Sequence, residues 1–370
     1  MDNAELITTA ERLERVAADL LNAEAVAADT EFFWERTFYP VLGLVQLATA
    51  EGCWLVDTVS LRDLRALGPV LASPSVVKIL HDAPQDLGIL ARATGAAPRA
   101  VFDTRLAAGF AGLESTCSLQ SLLRETVDVE ISKAETRSNW LQRPLSASQL
   151  RYAADDVIHL VRVREILLAR CSSNTVRDWL DEELARFDDP AAYQERDPRQ
   201  MYLRVKGGAR LGARPLAVLR ELAEWREHEA RARDWPRAHV LPDDLLVALA
   251  LRAPADRKGY SDVQGLPRNI PDAIVSDLLA AVARGAALPD GECPAPAESP
   301  DFASKRALKP KSDRLLANLA AACAQHGIDP ALAASRAEAD DYVWRLSQGS
   351  ADGHPLTRGW RKNLITDFAP

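Results

Sequence analysis

Residues 25–33 read Ala25-Val26-Ala27-Ala28-Asp29-Thr30-Glu31-Phe32-Phe33, and residues 43–57 read Gly43-Leu44-Val45-Gln46-Leu47-Ala48, Thr49-Ala50-Glu51-Gly52 and Cys53-Trp54-Leu55-Val56-Asp57. The first stretch is a short apolar run that ends in charge. The second is two apolar runs around a four-residue turn, the pattern of a β-hairpin. Val76-Val77-Lys78-Ile79-Leu80 and Ala100-Val101-Phe102-Asp103 read as later strands, each followed by helix-like sequence. Strands alternating with helices in this way predict an α/β domain.

Further along, Ser146-Ala147-Ser148-Gln149 fits a capping box, and Leu145 and Leu150 are placed as its hydrophobic staple. A helix is expected from Ala147, running without Gly or Pro through Tyr152, Asp156, Leu160 and Val163 to about Ala169. Residues 178–197 are acid-rich. Arg199, Arg204, Lys206, Arg210, Arg214 and Arg220 then bring six cations before the next acid, Glu221. From Pro215 to about Gly285 the pattern is helical with Pro and Gly interruptions, as in a small bundle. Pro289, Pro294, Pro296, Pro300 and Pro310 mark a linker, and helical periodicity resumes from Ser312.

The 370 residues, 47% hydrophobic and 26% charged, suit two or three ordinary globular domains. The longest apolar run, Leu245–Leu251, is far too short to span a bilayer. The start, Met1-Asp2-Asn3-Ala4-Glu5, lacks the basic segment and apolar core of a secretory signal, which points to the cytoplasm. Five scattered cysteines with no Cys-x-x-Cys pair argue against a zinc module and against a disulfide framework. With 45 Lys and Arg against 53 Asp and Glu, the net charge is −8, so attraction to nucleic acid must come from local patches such as 199–220.

Asp29 and Glu31, two apart on a strand, point to one face of the sheet. Tyr152 and Asp156 stack on one helical face, and their stripe continues through Leu160, Val163 and Leu167, which places Asp156 on the core side and Asp155 on a wetter one. A third cluster, His81-Asp82-Ala83-Pro84-Gln85-Asp86-Leu87, lies where a strand hands over to a helix. Each has a plainer reading: a strand end reaching solvent, a buried Asp paired with an arginine, a helix N-cap at Asp82 or Asp86. Together, Asp29, Glu31, Asp86 and Asp156 offer only oxygen ligands, which suits Mg²⁺ or Mn²⁺ rather than zinc.

These segments, with Tyr39-Pro40-Val41-Leu42-Gly43, with Lys133-Ala134-Glu135-Thr136-Arg137-Ser138-Asn139-Trp140-Leu141-Gln142-Arg143-Pro144-Leu145, and with Tyr152-Ala153-Ala154-Asp155-Asp156, resemble the ribonuclease D family. The family's Tyr, three residues, then Asp pattern selects Asp156, as the stripe does. The resemblance covers nearly the whole chain and implies five parts. These are a ribonuclease-H-like α/β exonuclease domain over 1–172 (a mixed sheet flanked by helices), an acidic then basic connector over 173–209, a helicase-and-ribonuclease-D C-terminal (HRDC) domain over 210–288, a Pro-rich linker over 289–311, and a second HRDC-like helical domain over 312–370. Two departures stand out: Asp82 follows the histidine where the family has a small residue, and Asn139 precedes Trp140 where it more often has Asp.

The resemblance implies a 3′-to-5′ exoribonuclease that releases nucleoside 5′-monophosphates from single-stranded 3′ ends, tRNA precursors among them. It implies two divalent ions, Mg²⁺ or Mn²⁺, one held by Asp29, Glu31 and Asp156 and the other by Asp29 with Asp86. Tyr152 would orient the attacking water, and Thr30, Phe32, His81, Lys133 and Arg137 would contact substrate. A monomer is expected, since no long coiled coil or exposed apolar stripe is evident. Competing readings are a DNA exonuclease of the same chemistry and a catalytically silent nucleic-acid-binding adaptor.

Overall fold

A computed structural model describes residues 4–132, 134–171, 173–267, 269–296 and 302–365. The described parts of 1–33, 42–193 and 300–370 form one compact unit, and those of 34–41 and 194–299 a second. In the first unit six strands lie in the order β1-β4-β3-β2-β5-β6: β1 Glu5–Ile7, β2 Ala25–Phe33, β3 Val41–Ala48, β4 Cys53–Asp57, β5 Val77–Leu80 and β6 Val101–Asp103. β2 pairs parallel with β5 (Ala27↔Ile79) and β5 parallel with β6 (Leu80↔Asp103), while β3 and β4 form the antiparallel hairpin (Val45↔Val56). The sheet is therefore mixed, as expected. β1, parallel to β4, is an addition to the expected strands.

Alternation along β2 sets the site. Val26 and Ala28 enter one core layer with Val45, Leu47 and Leu80, whereas Ala25 and Ala27 enter the other with Ala48, Ile79 and Phe102. Asp29 and Glu31 continue the Ala25–Ala27 face. The layer over that face contains Val157, Leu160, Val163 and Leu167.

The capping box is present: Gln149 N–H donates to Ser146 Oγ (3.1 Å) and Ser146 N–H to Gln149 Oε1 (3.0 Å). The helix expected to run to Ala169 is instead two, Ala147–Asp155 and Leu160–Arg170. Val157 N–H and Ile158 N–H both bond to Ala154 O (3.1 Å each), so the chain tightens there. β-Branched Val157 and Ile158 give up little by leaving the helix at this point.

The expected third unit and its linker are also revised. A helix runs from Phe302 to His326 through Pro310, starting inside the expected linker, and Arg336–Ser347 follows it. Leu315, Leu319, Cys323, Val343 and Trp360 join Phe110, Leu122, Val163, Trp179 and Leu180 in one core. Trp360 stacks on Trp179 (ring centroids 5.5 Å apart), meets Phe110 edge-on (5.3 Å), and donates its indole N–H to Glu183 Oε1 (2.8 Å). An i, i+4, i+8 stripe of Leu315, Leu319 and Cys323 is too narrow to enclose a core of its own, so it covers the exonuclease helices. The helix Asn174–Leu184, expected within the connector, belongs to this core through Val176, Trp179 and Leu180.

The second unit packs Ala213–Arg233 against Asp272–Ala287 and Asp243–Arg252 around Leu219, Leu222, Leu246, Leu249 and Leu278. A Cβ at Gly285 would stand 2.5 Å from Val218 Cα, so this helix crossing requires glycine. Among the described residues no helix is long and apolar enough to cross a membrane.

Candidate active site

One carboxylate oxygen each from Asp29, Glu31 and Asp156 lie within 4.8 Å of one another. β2 supplies the first two on one face. The third comes from the C-cap of Ala147–Asp155, so the break in the expected long helix occurs at the residue that faces the acids. Asp86 is not one of this close set. It sits in the first turn of the helix Pro84–Thr94 and accepts a short hydrogen bond from the Thr30 hydroxyl, which reaches it from β2.

Burial first, then the neighbouring charges of Asp86, Asp156 and Glu31, push Asp29 well above the ordinary carboxylate range. Burial, Asp156 and Asp86 carry Glu31 up to about 8. Burial and then Asp155 carry Asp156 to about 7, and burial carries Asp86 to about 6 against the opposing Thr30 hydrogen bond. No lysine or arginine among the described residues offsets any of the four. A half-buried group of carboxylates without cations is stable in its ionised form only with a hard cation among them. The donor set therefore fits divalent metal: the first three residues as one group, with Asp86 beside them.

Tyr152 lies one turn before Asp156, its hydroxyl 3.4 Å from Thr136 Oγ1 and its ring 6.0 Å from that of Trp140. Burial and then the Asp156 charge push its phenol up to about 12, so it stays protonated at neutral pH. The segment bearing Thr136 and Trp140 is clamped to the hairpin by Arg143, which donates to Gly43 O (2.7 Å), Asp57 Oδ1 (2.6 Å) and Trp140 O (2.8 Å). A Cβ at Gly43 would meet Trp140 O at 2.6 Å, so the contact needs glycine.

The expected substrate contacts fare differently. The Thr30 hydroxyl is engaged by Asp86 and Thr30 is only 5% exposed, which leaves it a supporting position rather than an open one. His81 is held at both ring nitrogens, Nδ1 by Thr104 Oγ1 (3.0 Å) and Nε2 by Cys117 O (3.2 Å), and burial lowers its pKa. Phe32 is half-buried and Arg137 is exposed. Lys133 lies outside the described residues.

Half of the basic run is engaged within the protein. Arg199 pairs with Glu221 and Glu224, Arg220 with Glu221, and Arg214 with Asp290 and the carbonyl of Ala286. Arg204, Lys206 and Arg210 are exposed and form no ion pair among the described residues.

Asp103, a residue the sequence reading passed over, organises the approach to Asp86. Its buried carboxylate accepts from the backbone N–H groups of Asp82 (3.2 Å), Ala83 (2.9 Å), Arg105 (2.9 Å) and Leu106 (3.2 Å). The available signal was an Asp at a strand end before Thr104-Arg105-Leu106, which reads as a helix cap.

Comparison with known proteins gives the family. Residues 4–171 match the 3′-5′ exonuclease family model, and residues 216–282 match the HRDC domain. The chain is 38% identical over its full length to ribonuclease D of Desulfotalea psychrophila, covering 98% of that protein. It is 37% identical to ribonuclease D of Gluconacetobacter diazotrophicus, with 98% and 91% of the two chains covered. Its fold matches the crystal structure of Escherichia coli RNase D, described as an exoribonuclease involved in structured RNA processing, with a TM-score of 0.85, 28% identity and complete coverage of both chains. With full-length relatives, both family models and the fold pointing one way, the chain belongs to the ribonuclease D family of hydrolytic 3′-5′ exoribonucleases.

Proposed function

We propose that this enzyme trims single-stranded RNA 3′ ends one nucleotide at a time, releasing nucleoside 5′-monophosphates, with Asp29, Glu31, Asp86 and Asp156 as ligands of two Mg²⁺ or Mn²⁺ ions. The observation that carries the reading is the convergence of Asp29, Glu31 and Asp156 within 4.8 Å, with no lysine or arginine among the described residues offsetting their charge. When bound, the ions supply Lewis-acid stabilisation of the attacking and leaving oxygens at a phosphodiester. The protein's own part is to hold four carboxylates in place and to position water. Tyr152, protonated at neutral pH, offers a hydroxyl beside Asp156 that orients the attacking water and does not remove its proton.

RNA as substrate is supported by the family, and tRNA precursors with 3′ extensions are the class we assign, in line with the structured-RNA role of the E. coli relative. Arg204, Lys206 and Arg210 are candidate phosphate contacts in the second unit. The DNA-exonuclease reading lacks the family's support. The silent-adaptor reading leaves unexplained why four carboxylates are held together at an electrostatic cost. We assign the enzyme to the cytoplasm as a monomer.

The test is a 5′-labelled RNA with a single-stranded 3′ tail on a stable stem, incubated with Mg²⁺, Mn²⁺ or chelator, alongside a DNA of the same sequence and the Asp156→Asn variant. A descending ladder on RNA that stops near the stem, needs metal and disappears in the variant is the expected result. Undegraded RNA in the presence of either metal would overturn the assignment.

A further inference from the structure

The turn that presents Asp86 is held from outside the acidic cluster. Between β5 and the helix Pro84–Thr94, Asp82 adopts φ 63°, a left-handed conformation that only glycine takes freely. Two groups hold it there. Asp103 accepts from Asp82 N–H and Ala83 N–H, and the Arg105 guanidinium pairs with the Asp82 carboxylate. The departure noted at position 82 is thus a strained residue with a charged partner.

Arg105 and His81 both lean on residues 115–117. Arg105 Nε–H donates to Ser115 O (3.1 Å), and His81 Nε2 meets Cys117 O (3.2 Å). That segment is in turn fixed by the C-terminal helices. Ser115 N–H donates to Asp329 Oδ2 (2.6 Å), and Asp329 N–H to Gly109 O (2.9 Å). The approach is close: a Cβ at Gly109 would stand 2.7 Å from both Leu332 Cδ1 and Ser115 Cβ, and one at Gly112 would stand 3.0 Å from Gly327 O.

We propose that Asp329 and Arg105 are positioning residues for Asp86: the C-terminal helices lock residues 109–117, which hold Asp82 in its left-handed conformation so that Asp86 stands ready beside Asp29. The inference rests on the reading of Asp86 as a metal ligand. Its physical basis is preorganisation. Carboxylates that repel one another drift apart unless the scaffold holds them, and the cation must then do the work of gathering them. Loosening the far end of this chain of contacts should weaken metal binding and slow turnover while leaving RNA affinity alone.

The test titrates Mn²⁺ into metal-free full-length protein by calorimetry and, separately, follows RNA hydrolysis. Arg105→Ala and Asp329→Ala are expected to weaken Mn²⁺ binding and lower kcat by about tenfold, with KM for RNA within about twofold of wild type. Asp329→Asn keeps one oxygen to accept from Ser115 N–H but turns its amide nitrogen toward the Ala331 N–H that the second oxygen accepts, so it should fall between Asp329→Ala and wild type. Asp82→Gly takes the left-handed conformation without help, so placed in the Arg105→Ala background it should restore Mn²⁺ binding.

Unchanged isotherms in both alanine variants would overturn the proposal, as would failure of Asp82→Gly to rescue Arg105→Ala. If Asp329→Ala does not fold, the Asp82→Gly rescue decides alone. Wild-type protein that binds Mn²⁺ yet leaves RNA intact would overturn the functional reading and not this one, whereas absence of Mn²⁺ binding would overturn both.

Discussion

Asp156→Asn should destroy activity and at the same time make the metal-free protein more stable. In the folded chain burial, and after it the neighbouring Asp155 charge, push Asp156 up to about 7 from its ordinary 3.8. At about 1.4 kcal/mol per pH unit, holding it ionised costs the folded state on the order of 4 kcal/mol. Removing the charge at pH 8 should therefore stabilise the first unit by about 2 to 4 kcal/mol, which raises its unfolding midpoint by roughly 5 to 15 °C. The sign with pH is definite, because an acid whose folded pKa is raised binds more protons folded than unfolded, so stability falls as pH rises from about 4 through 7. The gap between variant and wild type should be small at pH 4, grow through pH 5 to 7 and be nearly full at pH 8. Saturating Mg²⁺ should reverse the order, since only the wild type keeps the full carboxylate set. Differential scanning calorimetry in chelator across this range measures the effect. Equal midpoints at pH 8, or a gap that widens as pH falls, would refute the reasoning.

Three further outcomes follow from the site and its supports. Tyr152→Phe should lower kcat by about 10- to 100-fold through loss of water positioning while leaving the Mn²⁺ isotherm unchanged; a weakened isotherm would mean the hydroxyl serves the metal site instead. Gly43→Ala drives a Cβ to 2.6 Å from Trp140 O, so it should destabilise by about 1 to 3 kcal/mol and reduce turnover with Tyr152 intact, checked by urea denaturation beside initial rates. Trp360→Ala opens a cavity between Phe110 and Trp179 and should cost about 3 to 5 kcal/mol. The temperature of exonuclease inactivation should fall with it, and an unshifted inactivation temperature would show the C-terminal helices to be energetically separate.

Much of the site was readable before any coordinates, for identifiable reasons. Period-two alternation placed Asp29 and Glu31 on one face, and the capping box fixed where the Tyr152 helix begins, because both signals are local. What escaped is tertiary. The break after Asp155 carries no Gly or Pro, and it sets Asp156 at a helix C-cap opposite two acids that a different element supplies. β1 is three residues long and acquires its identity by pairing with β4. The stripe through Leu315, Leu319 and Cys323 announces a buried face and says nothing of what covers it, so the last helices read as a separate domain. Asp103 looks like an ordinary helix cap until its second pair of hydrogen bonds, to a turn 20 residues earlier in the chain, is seen.

The shared core of the C-terminal helices and the exonuclease sheet bears on how the enzyme is made. During synthesis the strands and all the acids emerge early, yet the surface around Phe110 and Trp179 waits for Trp360 to cover it. A nascent chain halted in the HRDC region would carry every catalytic side chain on an unfinished fold. The order of synthesis thus sets the catalytic side chains ahead of the residues that close the core around Phe110 and Trp179.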